Sequence, residues 1–177
     1  MIIKNLLLTI LLLTSLSTIG QTVNATMNVA INSIVTSTTT GSPNIAPFVT
    51  ESDIENGLIT DPISFAVKSN RLWKLTTSIT NITASPITGG PTAITAPLQP
   101  SNILWGVVNG SNGTVTLFTP FVNTTSTSAG PVEAKTGVRG NPSTTGNTFT
   151  LRYKVIPTFT VDPANYVVEV TYTLSNQ

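Results

Sequence analysis

Few residues in this chain have the type and spacing to do chemistry. The densest acidic stretch is Glu51-Ser52-Asp53-Ile54-Glu55-Asn56-Gly57, with Asp61 close behind. Alternate carboxylates suit a hard cation, so Glu51, Asp53 and Glu55 are the candidate Ca²⁺ ligands. The spacing departs from the standard loop: Gly57 comes one place late, and Pro62 stands where the last, bidentate Glu belongs. The same residues also read as a capped helical turn, with Ser52 and Glu55 as the capping pair and Gly57 ending it. Paired carboxylates hydrolyse glycosides, but no second acid is placed by sequence to face this cluster. Trp73 and Trp105 offer rings for stacking on sugars. With Leu75 they are the candidate contacts to a cell wall or glycan, and each also fits a core position on its strand.

The remaining chemistry is removed by composition. The chain has 177 residues with no His and no Cys. That excludes a Ser-His-Asp triad, a Cys-His nucleophile, an imidazole base, a thiolate or imidazole zinc site and a disulfide. Charged residues make up 8% of the chain, against about 25% in an average domain. Thr, at 33 residues, takes over the solvent-facing role.

Lys4 is the only charge before Glu51, and it precedes the apolar run from Leu6 to Leu16. A short basic start, an apolar stretch of roughly ten residues and small residues after it make a secretory signal. The run falls short of the ~20 apolar residues of a membrane span. Residues 1–20 are therefore expected to be a signal peptide cut after Gly20, and the product is not an integral membrane protein. Loss of Lys4 leaves seven basic and seven acidic residues (8 − 1 = 7, and 7), a formal net charge of zero. Such a surface has no electrostatic footprint for nucleic acid.

The elements that would position these residues are strands. Period-two alternation runs through the chain, and no stretch after residue 20 holds a helical period. Val23, Ala25, Met27, Val29 and Ile31 form one apolar set; Ile63, Phe65 and Val67 a second; Trp73, Leu75 and Ile79 a third. Ile103 to Val108 is apolar on both faces and is expected to be a central strand. Val115 and Leu117, then Phe149 to Val155, follow. The longest set is Tyr166, Val168, Val170, Tyr172 and Leu174. Gly, Pro, Asn and hydroxyl residues mark loops at Thr36–Asn44, Ser85–Pro91, Asn109–Gly113 and Gly137–Asn147, and the two Asn-Gly pairs at Asn109–Gly113 signal a hairpin. The expected fold is an all-β antiparallel β-sandwich of Ig-like or Greek-key type, with about seven to nine strands in one domain from residue 21 to 177. Tyr166, following Asp162-Pro163-Ala164-Asn165, fits a tyrosine corner. Five N-x-S/T sequons occur, at Asn24, Asn81, Asn109, Asn112 and Asn123.

Two motifs carry a resemblance. Trp73-Lys74-Leu75 reads W-x-L, and Tyr166 to Leu174 reads Y-x-x-x-V-x-Y-x-L. Together they resemble the WxL surface domain of secreted bacterial proteins, with Tyr172 where that family has its second Trp. The stretch Phe48 to Leu75 and the Y-T-L ending are also similar to small exported β-sandwich proteins of the Bacteroidota. The resemblance implies a non-enzymatic, surface-associated protein that binds wall or surface glycan.

The expected function is thus a non-catalytic, secreted or cell-surface structural or adhesion protein without a cofactor. Two alternatives stand beside it. One is a carbohydrate-binding module. The other is a polymer-forming, pilin-like subunit whose partner is a copy of itself. Its donor strand would be residues 22–32, bearing Val23, Ala25, Met27, Val29 and Ile31, with Thr36–Asn44 as the hinge.

Overall fold

Alternation of apolar and hydroxyl side chains drives the chain into strands with one buried face, and the faces meet as two sheets. In the computed structural model of the chain, Met27 and residues 29–111 and 113–177 are described. The expected signal peptide and residues 22–26 and 28 lie outside them. Residues Asn32–Gln177 form one compact unit.

Among the described residues nine strands follow in chain order: β1 (Val35–Thr40), β2 (Leu58–Ile59), β3 (Ile63–Ser69), β4 (Trp73–Pro86), β5 (Ile103–Asn109), β6 (Thr119–Pro120), β7 (Ala129–Gly137), β8 (Thr148–Val155) and β9 (Ala164–Asn176). A short helix, α1 (Glu51–Asn56), lies between β1 and β2, and a 3₁₀ turn at Pro100–Asn102 leads into β5. One sheet has the order β1-β3-β8-β5-β6 with β2 also on β8; the other has the order β7-β4-β9. Every pairing is antiparallel. The fold is an all-β sandwich.

The core is an aromatic stack between the sheets. Phe65 of β3 stacks on Phe149 of β8 with ring centroids 5.1 Å apart, and Trp73 of β4 stacks on Phe149 from the other sheet at 5.8 Å. Tyr172 of β9 meets Phe65 edge-on at 5.3 Å. Ile63, Val67, Leu75, Ile79 and Leu151 fill the spaces around them. Each such aromatic pair adds about 0.5–1.5 kcal/mol beyond area burial.

The hydroxyls of Thr77, Tyr153 and Tyr172, trapped in this core, are bonded to one another. Tyr153 donates its hydroxyl proton to the Tyr172 oxygen at 3.0 Å and lies 2.8 Å from Thr77 Oγ1. With its own proton given to Tyr172, the Tyr153 oxygen accepts from Thr77.

Several expectations are corrected. Thr36–Thr40, read as loop and hinge, belongs to β1, paired along its length with β3. Its Thr and Ser side chains are exposed on both faces, so it carries no alternation, but β-branched Thr suits an edge strand. The central strand of the larger sheet is β8, whereas β5 has a full partner on one side and only Thr119–Pro120 on the other. The second apolar face of β5 is covered by a returning arm without strand pairing: a β-carbon at Gly106 would strike the Val115 side chain and the Leu117 carbonyl. Val115 and Leu117 are thus in an irregular arm.

Candidate functional site: an open sheet edge and its groove

β9 lies at the edge of its sheet and, among the described residues, hydrogen-bonds to β4 alone. Its thirteen residues pair with β4 from Trp73↔Asn176 to Pro86↔Ala164. Tyr166, Val168, Val170, Tyr172 and Leu174 turn inward as their spacing requires, yet each is only partly buried. The residues between them are exposed.

At the start of β9 the inward face opens into a groove of about 520 Å³. Its walls include Tyr166 and Val168 of β9 and Ile45 to Phe48, the segment between β1 and α1. Leu98, Val155 and Val161 form part of the lining. The walls are held by local hydrogen bonds. Tyr166 donates to the Asp162 carbonyl at 2.7 Å, the tyrosine corner expected from sequence. Burial raises the Tyr166 phenol above its ordinary pKa. Asp162 Oδ2 accepts from the Ala96 N–H at 2.8 Å, the Thr95 N–H at 2.6 Å and Thr95 Oγ1 at 3.2 Å. Those backbone donors, Ala96 first and Thr95 next, hold its carboxyl below the usual carboxylate range.

The acidic stretch is used in the same way. Helix α1 is capped by Thr50 and Asp53, two places earlier than the expected Ser52 and Glu55 pair. Asp53 N–H donates to Thr50 Oγ1 at 3.1 Å, and Asp53 Oδ2 accepts from the N–H groups of Thr50 at 2.9 Å and Val49 at 3.1 Å. The backbone donors of Thr50 and Val49 lower the Asp53 pKa. Thr50 wins the cap because it is in extended backbone and its N3 acid can reach back to the N-terminal N–H groups. Gly57 ends the helix at φ 74°, as expected. A side chain there would strike the Val155 carbonyl. Among the described residues, no three Asp or Glu side chains are grouped to hold a metal ion, so Glu51, Asp53 and Glu55 are not gathered into a shared site.

Trp73 and Leu75 are core residues, 0% and 1% exposed. Trp105 packs against the core and is half-buried, and its Nε1 makes no hydrogen bond among the described residues. The three residues singled out for glycan contact thus show at most part of one indole to solvent. Of the expected donor segment, Met27, Val29 and Ile31 are described; they are in no strand and are 82%, 65% and 81% exposed, while Val23 and Ala25 lie outside the described residues.

Sequence reasoning missed the groove wall Ile45–Phe48 and the edge position of β9. The signal for the first was Ile45-Ala46-Pro47-Phe48-Val49, an apolar run beside the loop cluster. Compared with known proteins, the chain matches no family model and no curated protein.

Proposed function

We propose that the chain is a non-catalytic structural or adhesion component, exported to a bacterial cell surface or extracellular matrix. The observation that carries this reading is the use made of its carboxylates. Asp162, the one acid among the described residues that line the groove, spends its oxygen on two backbone N–H groups and a hydroxyl, and Asp53 spends one on two N–H groups. A carboxylate tied down and kept ionised in this way staples loops; it is poorly suited to proton transfer. The absence of His and Cys from the sequence, the Thr-rich exterior and the expected signal peptide point the same way. The W-x-L and Y-x-x-x-V-x-Y-x-L resemblance adds support for a surface address.

Cell fractionation with detection in intact cells tests the reading. The expected result is a processed chain accessible to antibody or protease from outside the cell. A chain confined to the cytosol, or one that turns over polysaccharide or peptide substrates, would contradict it.

A further inference from the structure

Edges of sheets are templates for another strand, and proteins guard them with proline, lysine, bulges or brevity. Among the described residues, three of the four outer strands are guarded. β7 carries Pro131, Glu133 and Lys135 and slips register against β4 in two places. β6 has two residues, one of them Pro120, and β1 is a short run of hydroxyl side chains after Val35. β9 slips register against β4 once, between Ile79 and Asn81, and otherwise lacks these devices: thirteen residues, no Pro, no Lys, and one charge, Glu169.

The direction of its backbone is set by two hydrogen bonds. The carbonyls of Glu169 and Thr173 accept from Thr80 Oγ1 at 3.2 Å and Thr76 Oγ1 at 3.5 Å, so they face β4. Alternation along the strand then turns the N–H and C=O of Val168, Val170 and Tyr172 to the outer edge. The same residues turn half-buried side chains inward, above the groove at Tyr166 and Val168. An added strand would therefore meet both ladder groups that are unpaired among the described residues and an unfinished apolar face.

We propose that this edge is the acceptor for a strand from a second copy of the chain, and that the inserted strand is Thr22–Asn32. The proposal names the partner of the surface component argued above and rests on that reading. The match is one of length and pattern. Eleven residues span about 36 Å at ~3.3 Å each, close to the extent of β9. Their five apolar residues at spacing two equal the five inward residues of β9, and the segment holds neither charge nor proline. Three of those five, Met27, Val29 and Ile31, are exposed.

Topology favours a second copy over the chain's own segment. Ile34 donates its N–H to Asn70 Oδ1 at 2.9 Å, and Gln177 donates its N–H to the Leu72 carbonyl at 2.9 Å. The chain therefore enters β1 at the end of the sandwich where β9 finishes. A segment running up to Ile34 beside its own β9 would run parallel to it. A neighbour's segment is free to enter antiparallel, the more stable pairing per residue.

Sedimentation of the exported form, from Gln21 onward, over rising concentration tests the proposal. The expected result is dimers and longer species. The double substitution Val29→Asp and Ile31→Asp changes only exposed side chains, so it leaves the circular dichroism and melting temperature in place and abolishes those species. Val168→Pro removes an outward N–H and keeps the donor. Mixing the two variants is expected to yield a dimer that neither forms alone. If Val168→Pro does not fold, the synthetic peptide Thr22–Asn32 takes its place. It should bind the Asp-substituted chain, and the same peptide carrying both Asp substitutions should not. A strict monomer at millimolar concentration, or oligomers that survive the Asp substitutions, would overturn the proposal. A cytosolic chain that still associates through this strand would remove only the surface reading; a secreted strict monomer would remove only the strand insertion.

Discussion

The indole of Trp73 and the amide of Asn147 join the two sheets from inside: Nε1 donates to Oδ1 at 3.1 Å with both side chains 0% exposed. Trp73 opens β4, and Asn147 directly precedes β8 in the other sheet. The Asn147 amide also donates from Nδ2 to the Asn141 carbonyl at 3.2 Å, and the indole N–H has a second acceptor in the Val138 carbonyl at 3.1 Å.

Trp73→Phe is expected to lower stability by about 2–4 kcal/mol, from lost volume and an acceptor left without its donor. Tyr166→Phe removes one exposed-end hydrogen bond to the Asp162 carbonyl and should lower it by about 1 kcal/mol. Urea unfolding of both variants checks the ranking; equal effects would mean the inter-sheet bond adds nothing beyond packing.

Gly137→Ala is expected to destabilise by about 1–3 kcal/mol through overpacking. A β-carbon there would overlap the six-membered ring of Trp73, which also stacks on Phe149. Gly89→Ala has open space and a surface turn, so any loss there comes from its positive φ alone. The melting temperatures of the two variants, with Trp emission reporting on Trp73, separate crowding from backbone effects.

Alkaline pH should unfold the protein through its buried phenols. Burial raises Tyr153 well above its ordinary value and pushes Tyr172 up to about 12. In the unfolded chain both titrate near ~10. A folded pKa above the unfolded one means that stability is fully present below pH ~10 and is lost as pH rises toward and through the folded value. Urea midpoints measured from neutral to strongly alkaline pH should be flat at first and then fall. Tyr153→Phe should make that fall shallower by about one proton; an unchanged slope would place the titration elsewhere.

Asp162 works in the opposite direction. Its folded pKa is lowered by the Ala96 and Thr95 N–H groups, so its contribution is present above the unfolded value of ~3.9 and is lost as pH falls through the folded one. Asp162→Asn should speed amide exchange at Thr95 and Ala96 at neutral pH while leaving Leu75 and Leu151 protected. Unchanged exchange at those two amides would show that the loop does not depend on the carboxylate.

Much of the fold was legible because one buried face imposes a period of two. Phe65, Trp73, Leu75, Phe149, Leu151 and Tyr166 stand where alternation put them. Strands without a buried face were not legible. β1 is a row of exposed Thr and Ser, and β7 hides its period behind Gly130, Pro131, Glu133 and Lys135. β5 read as central because its outer face is apolar, though an irregular arm covers it. Alternation also says which side of β9 is wet but nothing of which strand lies beside it, so the open edge emerged only from the pairing of the sheets. In the acidic stretch the residue types gave a cap, and the backbone conformation at Thr50 decided its register.

The meeting of Ile34 and Gln177 at the turn Asn70–Leu72 has a mechanical consequence. Both strands attached there, β1 and β9, leave the same end of the sandwich and belong to different sheets. Tension applied between these two points acts across the strands, so it peels β1 from β3 and β9 from β4 one hydrogen-bonded pair at a time. A strand lying along the whole of β9 and pulled along its axis would instead strain all its hydrogen bonds at once. The same sandwich is therefore soft when stretched between Ile34 and Gln177 and stiff when loaded lengthwise along its open edge.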